Sequence, residues 1–209
     1  MGICYIVGAG DFYGEINPND DDLVIAADGG YRALISHGVR CDLLIGDLDS
    51  LCEAPSGVNL IRFPCEKDDT DSFLAYRQGK KRGYTDFRLY GCTGGREDHT
   101  FANYSLLLYA AREGNRAILF GDEWLSFVLS DGRVTLIGKE KDCFSVFAIG
   151  GDAGGVSISN AKYEVNGANL SPDFPLGVSN SFTGAEAKIS VKSGSLLIIS
   201  YGDGLPRLD

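Results

Sequence analysis

Residues 66–72 read EKDDTDS, with three aspartates inside four positions just ahead of a helical pattern. Asp and Thr favour the first turn of a helix, so capping accounts for the run by itself. A metal site accounts for it only if other carboxylates reach the same place. Three further polar loops supply them: ADGG (27–30), GDLDS (46–50) and GCTGGREDH (91–99). Asp28, Asp47, Asp49, Asp68, Asp69, Asp71 and Asp98 could not gather unpaired, because clustered like charges are costly unless a cation compensates them. Hard oxygen ligands without His or Cys point to Mg²⁺, with Mn²⁺ as a substitute. Magnesium commonly shares its coordination with substrate phosphates. Lys67 and Arg96 are then the direct phosphate partners, and the glycines of ADGG and TGG let backbone amides approach. The chemistry such a set suits is phosphoryl-type transfer.

These loops need elements that carry them to one edge. Apolar runs at 3–8, 23–27, 42–46, 59–63, 87–91 and 116–121 read as strands, and 31–38, 71–83 and 98–114 read as helices. Runs without strict alternation, separated by helices, predict an open, mostly parallel sheet covered on both faces. Each polar loop follows a strand, so all four lie at the carboxyl ends, where open α/β folds bind ligands. From Trp124 onward the pattern changes. WLSFVLS, RVTLIG, CFSVFAIG, VSISN, AKYEV, AKISV and SLLIIS read as strands joined by DG, GGDAGG, NG and SG turns. We therefore expect an α/β catalytic domain over 1–122 and an all-β sandwich over 123–209.

Composition narrows the function. The 209 residues are 44% hydrophobic, enough for a sizeable core, and the net charge is −10. An acidic chain is a poor partner for nucleic acid or an anionic membrane. The six cysteines form no C-x-x-C pair, which argues against zinc and fits a reducing, cytoplasmic setting. No basic flank or long apolar run marks a signal peptide or membrane span. No G-x-x-x-x-G-K-[ST] occurs. GAGDFYG (8–14) has Tyr13 where a dinucleotide fingerprint wants Gly, so it reads as a permissive loop beside phosphates or as a strand-ending turn.

In that order, A-D-G-G, G-D-L-D-S, K-D-x-T-D and G-G-R-x-D-H-x-x-x-N resemble the thiamine pyrophosphokinase family, and GVSNSF (177–182) with AKISVKSGSLLIIS is similar to its closing segment. The resemblance implies transfer of the pyrophosphoryl group of ATP to the hydroxyl of thiamine, giving thiamine diphosphate and AMP. It further implies a homodimer with active sites at the subunit interface. Carried over by motif, Asp47, Asp49, Asp68 and Asp71 are the metal group, with Asp69 at a variable position. Asp28, Gly29, Lys67, Thr70, Arg96 and Asn103 fall on the nucleotide side. Asp71, Arg96 and Asp98 are the catalytic set, and Tyr163, Ser179 and Asn180 the thiamine contacts. The chain departs from the family at NAKYEV, where members often carry G-L-K-[WY].

Blander roles stand beside these. His99 fits a structural hydrogen bond at a helix start as well as a base, and His37 a helix end. Trp124 suits core or interface, and Lys80, Lys81 and Arg82 a solvated helix terminus. Tyr104, Leu107, Leu108 and Ala111 share a predicted core face. Two rival functions remain at this level: a glycosyltransferase using D-L-D, and a sensor that binds nucleotide or thiamine without turnover.

Overall fold

The computed structural model describes residues 2–46, 58–62, 69–202 and 204–208. It forms two compact units, Met1–Leu106 with Gly114–Asp122, and Leu107–Glu113 with Glu123–Asp209.

The first unit carries strands β1 (Cys4–Val7) and β2 (Leu23–Ala27), helix α1 (Gly30–Ser36), strands β3 (Leu43–Gly46) and β4 (Asn59–Arg62), helix α2 (Asp71–Lys81) and strand β5 (Asp86–Tyr90). Helix α3 (Glu97–Arg112) and strand β6 (Arg116–Phe120) follow. The six strands are parallel, in the order β6-β5-β1-β2-β3-β4. The chain lays β1 to β4 outward, then returns to place β5 on the other flank of β1. The gap between the ends of β1 and β5 is thus the topological switch point.

Both faces of this sheet are covered, as the unbroken apolar runs require. Tyr5, Val7, Val24, Ala26 and Leu44 form one face and pack with Leu34 of α1. Cys4 and Phe87 meet α2 on the other. Gly79 lets that helix approach closely, since a Cβ there would press on the Cys4 thiol and the Phe87 ring. Tyr76 stacks against the same ring, centroids 4.6 Å apart.

The second unit holds β7 (Leu125–Ser130), β8 (Arg133–Ile137), β9 (Cys143–Ala148), β10 (Ala153–Ser159), β11 (Val165–Leu170), β12 (Gly177–Ser181), β13 (Glu186–Ser190), β14 (Ser195–Ser200) and β15 (Arg207–Leu208). They pair antiparallel in the orders β12-β9-β14-β7 and β11-β10-β13-β8-β15. Buried Phe144, Val146, Leu196 and Ile198 alternate with more exposed neighbours, which is the signature of a sandwich interior. Phe182 stacks edge-on against Phe144 and also packs where a side chain at Gly138 would sit.

Three expectations are corrected. AKYEV is not a strand: Ala161 makes one bridge to Phe182, and the next strand starts at Val165. The NG read as a turn lies inside β11, where Gly167 at φ +67° takes up a bulge against β10. The buried positions of α3 are Asn103, Leu106, Leu107 and Ala110, rotated from the predicted face so that a polar residue enters it.

The loop after β1 is held by two charged side chains. Asp22 is buried and accepts from the Ile3 amide at 2.6 Å and the Asn19 amide at 2.8 Å. Arg40 donates to the carbonyls of Pro18, Asn19 and Asp22 at 2.7–3.0 Å. Asp22→Ala leaves two amides unpaired and should lower unfolding free energy by about 1–3 kcal/mol in urea titration.

Candidate active site

At the switch point the loops that follow β1 and β5 interlock. The Gly8 amide donates to Tyr90 O and the Gly10 amide to Gly91 O, both at 2.8 Å, and Asp11 N donates to Thr93 O at 2.9 Å. Two positions permit so close an approach. A Cβ on Gly10 would collide with the Thr93 carbonyl, and one on Gly94, at φ +72°, with the Asp11 carboxylate. Above this backbone floor lies a cavity of about 320 Å³. Gly8, Gly10, Gly91, Gly94 and Gly95 line one side, and Ser72, Arg96, His99, Thr100 and Asn103 the other.

The walls come from two helix starts. Thr70 is the N-cap of α2 and accepts from the Phe73 amide at 3.3 Å, a bond that uses an oxygen lone pair of the hydroxyl and not its O–H. Asp71 is the first residue of that helix, where a carboxylate suits the dipole. Ser72 follows it into the cavity, with its hydroxyl 3.9 Å from the Cys92 sulfur. Burial pushes the Cys92 thiol up to about 11, so it stays protonated and acts as wall rather than nucleophile. Asn103 is buried and donates from Nδ2 to Cys92 O at 2.7 Å. The side chain expected to touch nucleotide therefore ties α3 to the cavity floor.

Arg96 and Asp98 stand at the mouth. The Arg96 Nε and Nη2 donate to the two Asp98 oxygens at 3.1 and 2.5 Å. That bond holds the Asp98 carboxyl below its ordinary range, helped by the His99 amide. Both side chains are well exposed, 73% and 62%. A solvent-screened pair of this kind adds little stability, so Arg96 can be redirected to an anion at small cost. Asp28 ends β2 at φ +48°, with its amide bonded to Ile45 O at 2.7 Å. Gly29 is the N-cap of α1 and makes no side-chain cap. Asp69 pairs with Arg77 at 2.6 Å. Asp47, Asp49, Lys67 and Asp68 lie outside the described residues.

In the second unit Tyr163 is exposed, and its backbone N–H and C=O both bond to the buried Asn180 side chain, at 3.0 and 2.8 Å. Ser179, at φ +58°, faces a different surface. It lines a pocket of about 640 Å³ with Ser145, Phe147, Val178, Ile199 and Tyr201.

Residues 17–119 match the description "Thiamin pyrophosphokinase, catalytic domain", and residues 133–196 match "Thiamin pyrophosphokinase, vitamin B1 binding domain". The chain belongs to the thiamin pyrophosphokinase family. It is 25% identical over 195 residues to the thiamine pyrophosphokinase of Bacillus subtilis (strain 168), covering 88% of this chain and 90% of that protein. A crystal structure of thiamine pyrophosphokinase from B. subtilis shares the fold at TM-score 0.86, with 22% identity over 97% of this chain and 99% of that one. The yeast thiamin pyrophosphokinase shares it at TM-score 0.72 and 15% identity, over 95% and 86%. As a member of this family the protein is a transferase of the diphosphotransferase class.

For a thiamin pyrophosphokinase the cavity is informative about residues that the sequence left without a settled role. Gly8, Ala9 and Gly10 precede the matched catalytic span yet form part of the wall. Their signal was the glycine spacing of GAGDFYG. Ser72 and Thr100 carried none beyond standing in the first turns of two helices that follow acidic motifs. Gly94→Ala should disturb the floor and its Asp11 contact together. We expect the KM for ATP to rise at least tenfold with the KM for thiamine changed less, as read by initial-rate kinetics.

Proposed function

We propose that ATP is held over the cavity at the β1/β5 switch point and that its pyrophosphoryl group passes to the hydroxyl of thiamine, releasing AMP. The observation that carries this reading is the glycine-backbone floor joined to the opening of α3 and to Arg96. Phosphates need positive potential, and the chain as a whole is acidic. The amides exposed at the start of a 16-residue helix supply part of it, and the Arg96 guanidinium the rest.

Magnesium fits the donor chemistry, because the residues assigned to it are carboxylates without His or Cys. Asp47, Asp49, Asp68 and Asp71 would hold it, and it would neutralise phosphate charge during transfer. Among the described residues no three His, Cys, Asp or Glu side chains are grouped to hold an ion, and Asp71 alone of the four is described. Manganese could replace it on the same oxygens.

Arg96 leaves Asp98 for the β- or γ-phosphate, and Asp98 is then free to orient the attacking hydroxyl. Held ionised by Arg96, Asp98 is a weak base beforehand and gains basicity only as that bond breaks. His99 lines the same cavity and lies within reach of the same groups. Thiamine is taken up on the second unit against the exposed Tyr163 ring. Exposed Phe174, Leu176 and Val178 on that unit support pairing of two copies. No described helix is long and apolar enough to cross a membrane, which is compatible with work in the cytoplasm.

Incubation with Mg-ATP, with and without thiamine, should yield AMP and thiamine diphosphate together and only when metal is present. ADP with thiamine monophosphate would show that a different bond breaks. Asp71→Asn should remove most turnover while Tm moves by no more than a few degrees. Near-normal rates in that variant would reject Asp71 as a ligand. Arg96→Ala should lower kcat/KM roughly 10²–10³-fold, the range for loss of one charge-stabilising donor.

A further inference from the structure

Asn180 and Ser179 are adjacent in sequence and were expected to share one ligand. The strand that carries them separates them. Gly177 pairs with Val146 and Asn180 with Phe144, so β12 spends three residues where β9 spends two. Such a bulge re-aims side chains. Val178 and Ser179 both turn to the pocket with Ser145 and Tyr201, and the Ser179 amide donates to Ser145 Oγ at 3.1 Å. Asn180 turns inward and keeps only 4% of its surface.

Its carboxamide is almost fully committed there. Oδ1 accepts from Tyr163 N at 3.0 Å and Ser181 N at 2.9 Å, and Nδ2 donates to Tyr163 O at 2.8 Å. Both lone pairs of the oxygen and one of the two N–H groups are used. The turn that presents Tyr163 is tied to the same strand residue by residue. Ala161 bridges to Phe182, and Lys162 N donates to Ser181 O at 2.9 Å. Glu164 closes the turn by accepting from the Asn160 amide at 2.8 Å. Asn180 makes the tie nearest the exposed ring, whose face carries the Lys162 ammonium 5.1 Å from its centroid.

We propose that Asn180 is a positioning residue: it fixes the backbone of Tyr163, and so the pose of that ring toward thiamine, without touching thiamine itself. The inference rests on the reading above that Tyr163 contacts thiamine. A double-mutant cycle separates the two. Tyr163→Ala should raise the KM for thiamine about tenfold or more with the KM for ATP within twofold. Asn180→Ala should raise the thiamine KM by a similar factor. The double variant should be within twofold of Tyr163→Ala, because the clamp has no ring left to place.

If Tyr163→Ala leaves the thiamine KM unchanged, the reading of Tyr163 as a contact fails, and the inference fails with it. If Tyr163→Ala has its effect but Asn180→Ala multiplies it, Asn180 meets thiamine directly and the inference alone is wrong. An Asn180→Ala that is silent by itself also overturns it. Should Asn180→Ala fold poorly, Asn180→Ser keeps a neutral hydroxyl in the site and loses the two-sided hold of the carboxamide on Tyr163. It should then shift the thiamine KM less than Tyr163→Ala does, leave the ATP KM alone, and add nothing in the Tyr163→Ala background. A further increase in that background again rejects the inference.

Discussion

Two loops touch backbone to backbone at the carboxyl edge of the first unit, and the site is organised around that contact. The ladder between β1 and β5 does not end with the strands. It continues through Gly8 to Tyr90 O, Gly10 to Gly91 O and Asp11 to Thr93 O. A side chain at Gly10 would displace the backbone of the opposite loop, and one at Gly94, at φ +72°, would meet the Asp11 carboxylate. The gain is a floor made of peptide groups held by backbone hydrogen bonds. Peptide dipoles fixed before the ligand arrives need no reorganisation during transfer, which is what electrostatic stabilisation of a transferring phosphoryl group demands. The same contact fixes where α3 begins, since the residues that leave β5 run directly into that helix.

The rest of the site follows from placing charge on this floor within an acidic protein. A glycine floor alone gives partial charges, and α3 adds the partial charge of its terminus. The first turn of α3 also carries Glu97 and Asp98, which oppose an anion. Arg96 offsets one of these two charges by clasping Asp98, so that the resting mouth is less negative than its residues alone would make it. The pair is exposed and cheap to open, which is what the role proposed for it above requires. Burying that pair would have made it harder to exchange.

Much of this was legible from residues alone, and the reason is local. Unbroken apolar runs read as strands of a parallel sheet because both faces are covered, and the described polar residues after β2 and β5 fall at one edge because parallel strands share their direction. Strand order was not legible: nothing in the sequence says that β5 lies beside β1, so the cavity between them could not be placed. The misreadings share one cause. NG within β11 and AKYEV were judged by local pattern, whereas a bulge and a single bridge to Phe182 decided them. Such pairings are set by a partner strand far along the chain. The same holds for α3, where Asn103 entered the buried stripe because Cys92 offers it a carbonyl.

Asn103 and Asn180 were both marked by their motifs as ligand contacts, and each is buried and hydrogen-bonded to the backbone of a neighbouring segment. Asn103 holds the carbonyl of Cys92 beneath the cavity, and Asn180 holds both polar groups of Tyr163. The choice of residue has a physical basis. A loop beside a ligand exposes peptide groups that must be satisfied once water is excluded. A carboxylate or ammonium could satisfy one kind of group only, and would add the desolvation cost of a full charge. A carboxamide offers donor and acceptor together without net charge, so it can fix a peptide from both sides inside an apolar shell. A motif asparagine is therefore demanded as strictly by clamping as by binding, and sequence alone cannot distinguish the two. Burial and hydrogen-bond partners add the missing information: both side chains bond to backbone, and Asn103 lines the cavity as well.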